Sequence, residues 1–228
     1  MGFYGSDLGD RLILSDNYPE SVIEFLEKER ENLLLAIQKY DLVIEVGCME
    51  GRGYNDIRNN GISYVGIDQM SEYIEKAASV FGFVSDTHEF LCMDAEFINE
   101  ISKKSILYRK HKKILFFFPF NSFGNVLNIN NLLSSFSKLN NADALIYTYL
   151  TDVFATNERD KYYTNCNYKE LQKNETEAEV RFTSADGLNS VAYKQEYLKS
   201  LCYANALSFD SFKFCNVGIV YKISTKKE

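Results

Sequence analysis

The chain has 228 residues, 46% hydrophobic and 25% charged, which fits a folded globular protein and excludes wholesale disorder. Lysine plus arginine total 25 against 32 aspartate plus glutamate, a formal net charge of −7 that argues against nucleic acid as the main partner. Sixteen tyrosines and 17 phenylalanines stand beside no tryptophan, which suggests a pocket lined with amphipathic rings.

In chain order, Pro19 opens a helix with Asn17 as its cap, and Val22, Ile23, Phe25, Leu26, Leu33, Leu34, Leu35 and Ile37 give it an apolar face to about Tyr40. Leu42 to Gly47 is a β-branched apolar run, the pattern of a strand buried on both faces in a parallel sheet. A helix at 54–60 and a strand at 62–68 follow, then a helix capped by Ser71, a strand at 89–93 and the most hydrophobic strand at 114–120. A helix at 127–139 leads to a fifth strand at 144–150. Five alternations of strand and helix predict a parallel sheet with right-handed crossovers. Residues 152–191 break the rhythm: they are polar and tyrosine-rich, with a hairpin around Asp186-Gly187. A helix at 196–206 and strands near 209–215 and 217–224 close the chain, leaving a solvated tail from Thr225.

Five cysteines without a CxxC pair read as reduced, mostly buried thiols. Two histidines are too few for most metal constellations, so no metal is expected. No apolar run reaches the ~20 residues of a membrane span, and no secretory leader is visible. The start, Met1-Gly2 through Ser6, fits a loose acylation pattern with nothing basic behind it. The cytoplasm is the default compartment. The run Lys110-His111-Lys112-Lys113 reads as a solvated edge.

The strongest chemical signal ends the first strand: Glu45-Val46-Gly47-Cys48-Met49-Glu50-Gly51-Arg52-Gly53. Glycines at a strand–helix turn let backbone approach a ligand. The phosphate-cradling G-x-G-x-x-G spacing is missing, and no Gly-Lys-Ser/Thr follows. The segment resembles the first motif of class I S-adenosylmethionine-dependent methyltransferases. Asp68, 23 residues after Glu45, stands where that family ends its second strand on an acidic residue. Cys92-Met93-Asp94-Ala95 stands at its adenine-edge contact, and Phe117 to Asn125 matches its fourth-strand motif. Residues 190–207 are similar to its last helix. Met49 departs from the family's middle glycine.

The resemblance implies an α/β Rossmann-like three-layer sandwich. Its seven-stranded, mostly parallel sheet has order 3-2-1-4-5-7-6, the last strand antiparallel. It implies one domain over 1–228: an N-terminal helical segment (1–40), a cofactor-binding core (41–150), a substrate lid (152–191), and a closing helix with strands (192–224). The implied cofactor is S-adenosyl-L-methionine, with S-adenosyl-L-homocysteine as product. Glu45, Gly47, Cys48, Gly51, Asp68, Gln69, Asp94, Ala95, Phe118 and Phe120 are the expected cofactor contacts. Glu45, with Glu50 near it, suits a cationic cofactor, and Asp68 suits its ribose hydroxyls. Asn121 and Tyr149 are the catalytic candidates. Tyr4, Asn121, Asn125, Arg159, Tyr162 and Tyr163 are the acceptor candidates. The tyrosines can cup a methylammonium by cation–π contact, which favours N- over O-methylation of a small molecule. A protein or peptide side-chain methyltransferase and a non-catalytic binding module are the alternatives. The expected partner is a small-molecule methyl acceptor, with no nucleic acid and no membrane; a homodimer is compatible with the sequence. Plainer roles remain open: Glu45 capping its loop, Asp68 or Asp94 capping a helix, Asn121 and Asn125 as turn residues, the Phe116–Phe118 run as sheet core, and the tyrosines as lid packing.

Overall fold

A computed structural model describes residues 3–4 and 6–225. The acylation pattern at Met1-Gly2 and most of the expected tail lie outside these residues. Among the described residues, β1 (Leu42–Val46), β2 (Ser63–Asp68), β3 (His88–Cys92), β4 (Ile114–Phe118) and β5 (Ala142–Tyr149) pair in parallel. A three-stranded antiparallel sheet follows: β6 (Gln172–Glu175), β7 (Glu179–Thr183) and β8 (Asn189–Tyr193). Then β9 (Ser208–Lys213) and β10 (Gly218–Ser224) complete the main sheet in the order β3-β2-β1-β4-β5-β10-β9, with β10 antiparallel to both neighbours. That is the expected topology, with β9 and β10 as its sixth and seventh strands.

The two-residue period of a strand divides the core. Leu42, Ile44 and Val46 join Phe116 and Phe118 on one face of the sheet. Val43, Leu115 and Phe117 join Tyr147 and Tyr149 on the other. Every side chain of β1 is buried. Each aliphatic one contributes roughly 1.5–3 kcal/mol, so the strand is held firmly from both sides and its C-terminal end is a fixed platform.

The chain begins with short turns: α1 (Asp7–Asp10), then 3-10 turns at Arg11–Ile13 and Ser15–Asn17. Next is α2 (Glu20–Ala36), with Pro19 itself in the cap position rather than Asn17. Asn17 instead donates to the Arg11 carbonyl at 2.9 Å. Then come α3 (Tyr54–Asn59), α4 (Ser71–Phe81), the short α5 (Ile101–Lys104) and α6 (Ile106–Lys110), and α7 (Ile129–Phe136). The cap of α4 is Met70, not Ser71. Residues 152–191 open with a helix the sequence did not announce, α8 (Val153–Asn165), and the chain closes over α9 (Gln195–Ala204) and the last two strands. A third cluster joins Val22 of α2 to Tyr162, Tyr163, Tyr168, Val180, Phe182 and Leu188, with Leu12 packed against it. Phe3, Leu12 and Tyr18 therefore pack against the 152–191 segment. No described helix is long and apolar enough to cross a membrane.

Candidate active site

A cleft of about 1160 Å³, open to solvent at its mouth, lies beyond the carboxyl ends of β1, β2, β4 and β5. Parallel α/β sheets place ligands there.

The β1 turn supplies one wall. Gly47 has φ +78, and an added Cβ would meet Ser122 Cβ at 3.0 Å, so only glycine fits that bend. Met49, at φ 49, holds the left-handed conformation a glycine would supply at no strain. Its amide donates to Asp68 Oδ2 at 3.0 Å, and the Met70 amide donates to Oδ1 at 2.9 Å. Burial raises the Asp68 carboxyl while the amides of Met70, Met49 and Gln69 pull it down. Each carboxylate oxygen keeps a lone pair for a ligand hydroxyl. Gln69, Asp94, Ala95 and Phe120 also line the cleft. Asp94 caps the following turn too, its Oδ1 accepting from the Glu96 amide at 2.9 Å. The plainer and the functional roles thus coexist in Asp68 and Asp94.

Glu45, Cys48, Gly51 and Phe118 do not line this cleft among the described residues. Glu45 sits on the opposite face of β1 from Val46, fully buried, where Oε2 accepts from the Gly53 amide at 3.0 Å and the Tyr64 hydroxyl at 2.5 Å. Burial pushes it up to about 7, against the Tyr64, Gly53 and Arg52 contacts that lower it. It braces the turn from behind instead of facing a ligand. Cys48 is buried beneath the turn, and Gly51 backs onto Phe90 and Phe81. Phe118 points into the sheet core, edge-on to Phe123 at 5.4 Å. Glu50 is exposed and pairs with Lys76 at 3.0 Å.

The β4 end carries Phe120 and Asn121 at φ 39 and 61, two consecutive left-handed residues without glycine. Such strain persists only where surroundings over-determine it. Here the Phe120 amide donates to Glu29 Oε2 at 2.6 Å, and the Asn121 amide donates to the Tyr147 carbonyl at 2.8 Å. Glu29, from α2, is buried and pushed up to about 7 by desolvation, opposed by Arg52, whose Nη2 lies 3.6 Å from Oε1. Sequence reasoning missed Glu29 and Arg52. Arg52 lines the cleft with its guanidinium 5.3 Å from the Phe120 ring centroid. A glutamate inside the apolar face of α2 was the available signal.

Asn121 and Asn125 both line the cleft. The Asn121 side chain is committed: Nδ2 donates to Ser190 Oγ at 2.9 Å and Oδ1 accepts from Thr148 at 2.5 Å. Gly124 lets that turn press on β8, since an added Cβ would stand 1.9 Å from the Val191 carbonyl oxygen.

Tyr4, Tyr149, Tyr162, Tyr163 and Ser190 close the far end. Arg159 of α8 is 1% exposed behind them, 5.2, 5.5 and 5.0 Å from the Tyr149, Tyr163 and Phe182 ring centroids. It donates to the Tyr163 hydroxyl at 3.2 Å, the Val180 carbonyl at 3.0 Å and Ser190 Oγ at 2.9 Å. Burial raises the Tyr4, Tyr149 and Tyr162 phenols. The Tyr162 hydroxyl donates to the Leu12 carbonyl, and Arg11 donates to the Cys166 and Asn167 carbonyls, fastening the N-terminal turns to the α8 region.

No protein-family model matches the chain, and no curated protein matches it by sequence. Solved structures do match in shape. The plantazolicin methyltransferase BamL superposes at TM-score 0.62 with 14% identity, covering 99% of this chain and 93% of that one. An S-adenosylmethionine-dependent methyltransferase from Clostridium acetobutylicum reaches 0.55 at 12% identity, covering 87% and 91%. The Burkholderia thailandensis 1,6-didemethyltoxoflavin-N1-methyltransferase reaches 0.57 at 10%, covering 90% and 79%. The chain thus has the fold of the class I S-adenosylmethionine-dependent methyltransferases.

Proposed function

We propose that this protein transfers a methyl group from S-adenosyl-L-methionine to a small-molecule acceptor, with nitrogen the first acceptor atom to test. Asp68 carries the reading: a buried carboxylate at the end of β2, fixed by two backbone amides with lone pairs to spare, is built for a vicinal diol. Asp94 and Ala95 flank the adenine position. Gly47, Met49 and Arg52 line the wall left for the methionine portion, where the Arg52 cation suits its carboxylate.

The bound sulfonium supplies an already activated methyl group. What the chain must add is alignment and exclusion of water. Residues 152–191 act as the lid, closed by the Tyr162 and Arg11 bonds to the N-terminal turns. A lid favours an enclosed small acceptor over a protein side chain. The far end of the cleft offers no histidine or carboxylate among its described lining residues, and its tyrosines are held protonated by burial. The acceptor therefore arrives with its lone pair free. With the cofactor held by Asp68, Asp94 and Ala95, its sulfonium would give up the methyl group and keep the electron pair of the S–C bond, and an amine acceptor's surplus proton would pass to water. That one of the similar structures is an N1-methyltransferase supports nitrogen. Calorimetric titration with S-adenosylmethionine and S-adenosylhomocysteine tests the reading; absence of binding by either would falsify it.

A further inference from the structure

The far end of the cleft has more hydrogen-bond donors than the protein can use. The Tyr149 and Tyr4 hydroxyls are buried there without a partner among the described residues. Ser190 Oγ receives Arg159 Nη2 and Asn121 Nδ2 and shares a 2.7 Å contact with the Tyr163 hydroxyl. Arg159 Nε already donates to that Tyr163 oxygen. Two hydroxyl hydrogens meet at one hydroxyl–hydroxyl contact, so one is surplus whichever way they point. Arg159 has five N–H groups and spends three on the protein. It is buried, yet makes no ion pair among the described residues. A buried cation is ordinarily matched by an anion, because desolvating it alone is costly. The carboxylates that line the cleft, Asp68, Asp94 and Glu96, belong to its other end.

We infer that the methyl acceptor carries a carboxylate, and that this group docks at the α8 end of the cleft on the hydroxyls of Tyr149 and Tyr4 in the field of Arg159. This rests on the methyltransferase reading and narrows its acceptor. It also revises the sequence expectation of a methylammonium cage. The rings that would cup a cation, Tyr149 and Tyr163, already hold the guanidinium, which repels a second positive charge.

The test uses the full chain saturated with S-adenosylhomocysteine, with phenylacetate, phenylacetamide and phenethylamine titrated as probes of matched shape. Phenylacetate is expected to bind at least tenfold tighter than the amide, and the amine weakest. Tyr149→Phe and Tyr4→Phe remove hydroxyls the protein itself leaves unpaired. Each should leave the melting temperature and S-adenosylhomocysteine affinity unchanged while weakening phenylacetate roughly three- to tenfold, the effect of one hydrogen bond. Arg159→Met should abolish the carboxylate preference, and if that variant fails to fold the two tyrosine variants still decide. Equal affinity for the three probes, or phenylacetate binding untouched by both hydroxyl deletions, overturns the inference. So does a loss of S-adenosylhomocysteine affinity in those variants, since the donors would then serve that ligand's own carboxylate. If the wild type binds no S-adenosylhomocysteine, the cofactor reading fails, and the probe titrations repeated without it still read the carboxylate preference.

Discussion

At the β2 end of the cleft the group proposed to hold the cofactor is a carboxylate, Asp68, fixed by two backbone amides at the end of a strand buried from Tyr64 onward. At the α8 end it is a guanidinium, Arg159, fixed by three rings and three hydrogen bonds, one to Tyr163 within α8 and two to the small sheet. The first group is positioned by main chain that the fold itself dictates. The second depends mostly on side chains gathered from β5, α8, β7 and β8. One end can therefore stay constant while the other is rebuilt for a different acceptor.

If the ends are separable, damage to one should spare the other. The largest effect is expected from Asp68→Ala. Loss of two charge-assisted hydrogen bonds to a ribose should cost roughly 4 kcal/mol, about a thousandfold in S-adenosylhomocysteine affinity by calorimetry, with phenylacetate binding retained. Undiminished cofactor affinity would remove Asp68 from the site. Arg159→Ala should lower stability by about 3 kcal/mol in urea unfolding, since it empties a ring-lined space and strips three acceptors. Loss of cofactor affinity in a folded Arg159→Ala protein would break the separation.

Two buried glutamates sharpen the comparison through pH. Glu29 and Glu45 are both pushed from an ordinary 4.5 up to about 7 by burial. A raised carboxyl binds its proton more readily folded than unfolded. Its stabilising contribution is full below about pH 4.5 and is lost as pH rises through about 7. Each is worth at most on the order of 3 kcal/mol. The melting temperature should fall between pH 5 and pH 8, and Glu45→Gln should flatten the fall; a profile rising over that range contradicts the assignment. The smallest effect is expected from Met49→Gly, which relieves a left-handed residue and should add about 1 kcal/mol to stability in urea.

The β1–β5 half was legible in the sequence because runs such as Leu42 to Val46 and Ile114 to Phe118 are buried on both faces, and Asp68 ends β2. The α8 half was not. The buried positions of α8 are Ala155, Thr156, Arg159, Tyr162 and Tyr163, a helical spacing whose polar members hide it, with Tyr162 and Tyr163 both packing in the third cluster and lining the cleft. The N-terminal turns are three or four residues long, too short for any periodicity. Tyr4, Arg159, Tyr162 and Tyr163 were singled out by residue type alone, and the structure gathers them at one end. Glu45 was read as facing the ligand, whereas its place in the strand's two-residue alternation turns it behind the glycine turn.

A crystal structure with S-adenosylhomocysteine tests the central claim most directly. The expected complex has the ribose hydroxyls on the Asp68 carboxylate, the adenine beside Asp94 and Ala95, and the sulfur facing the space before Tyr149, with Arg159 untouched. A ligand whose carboxylate sits on Arg159 and whose ribose leaves Asp68 free would contradict it.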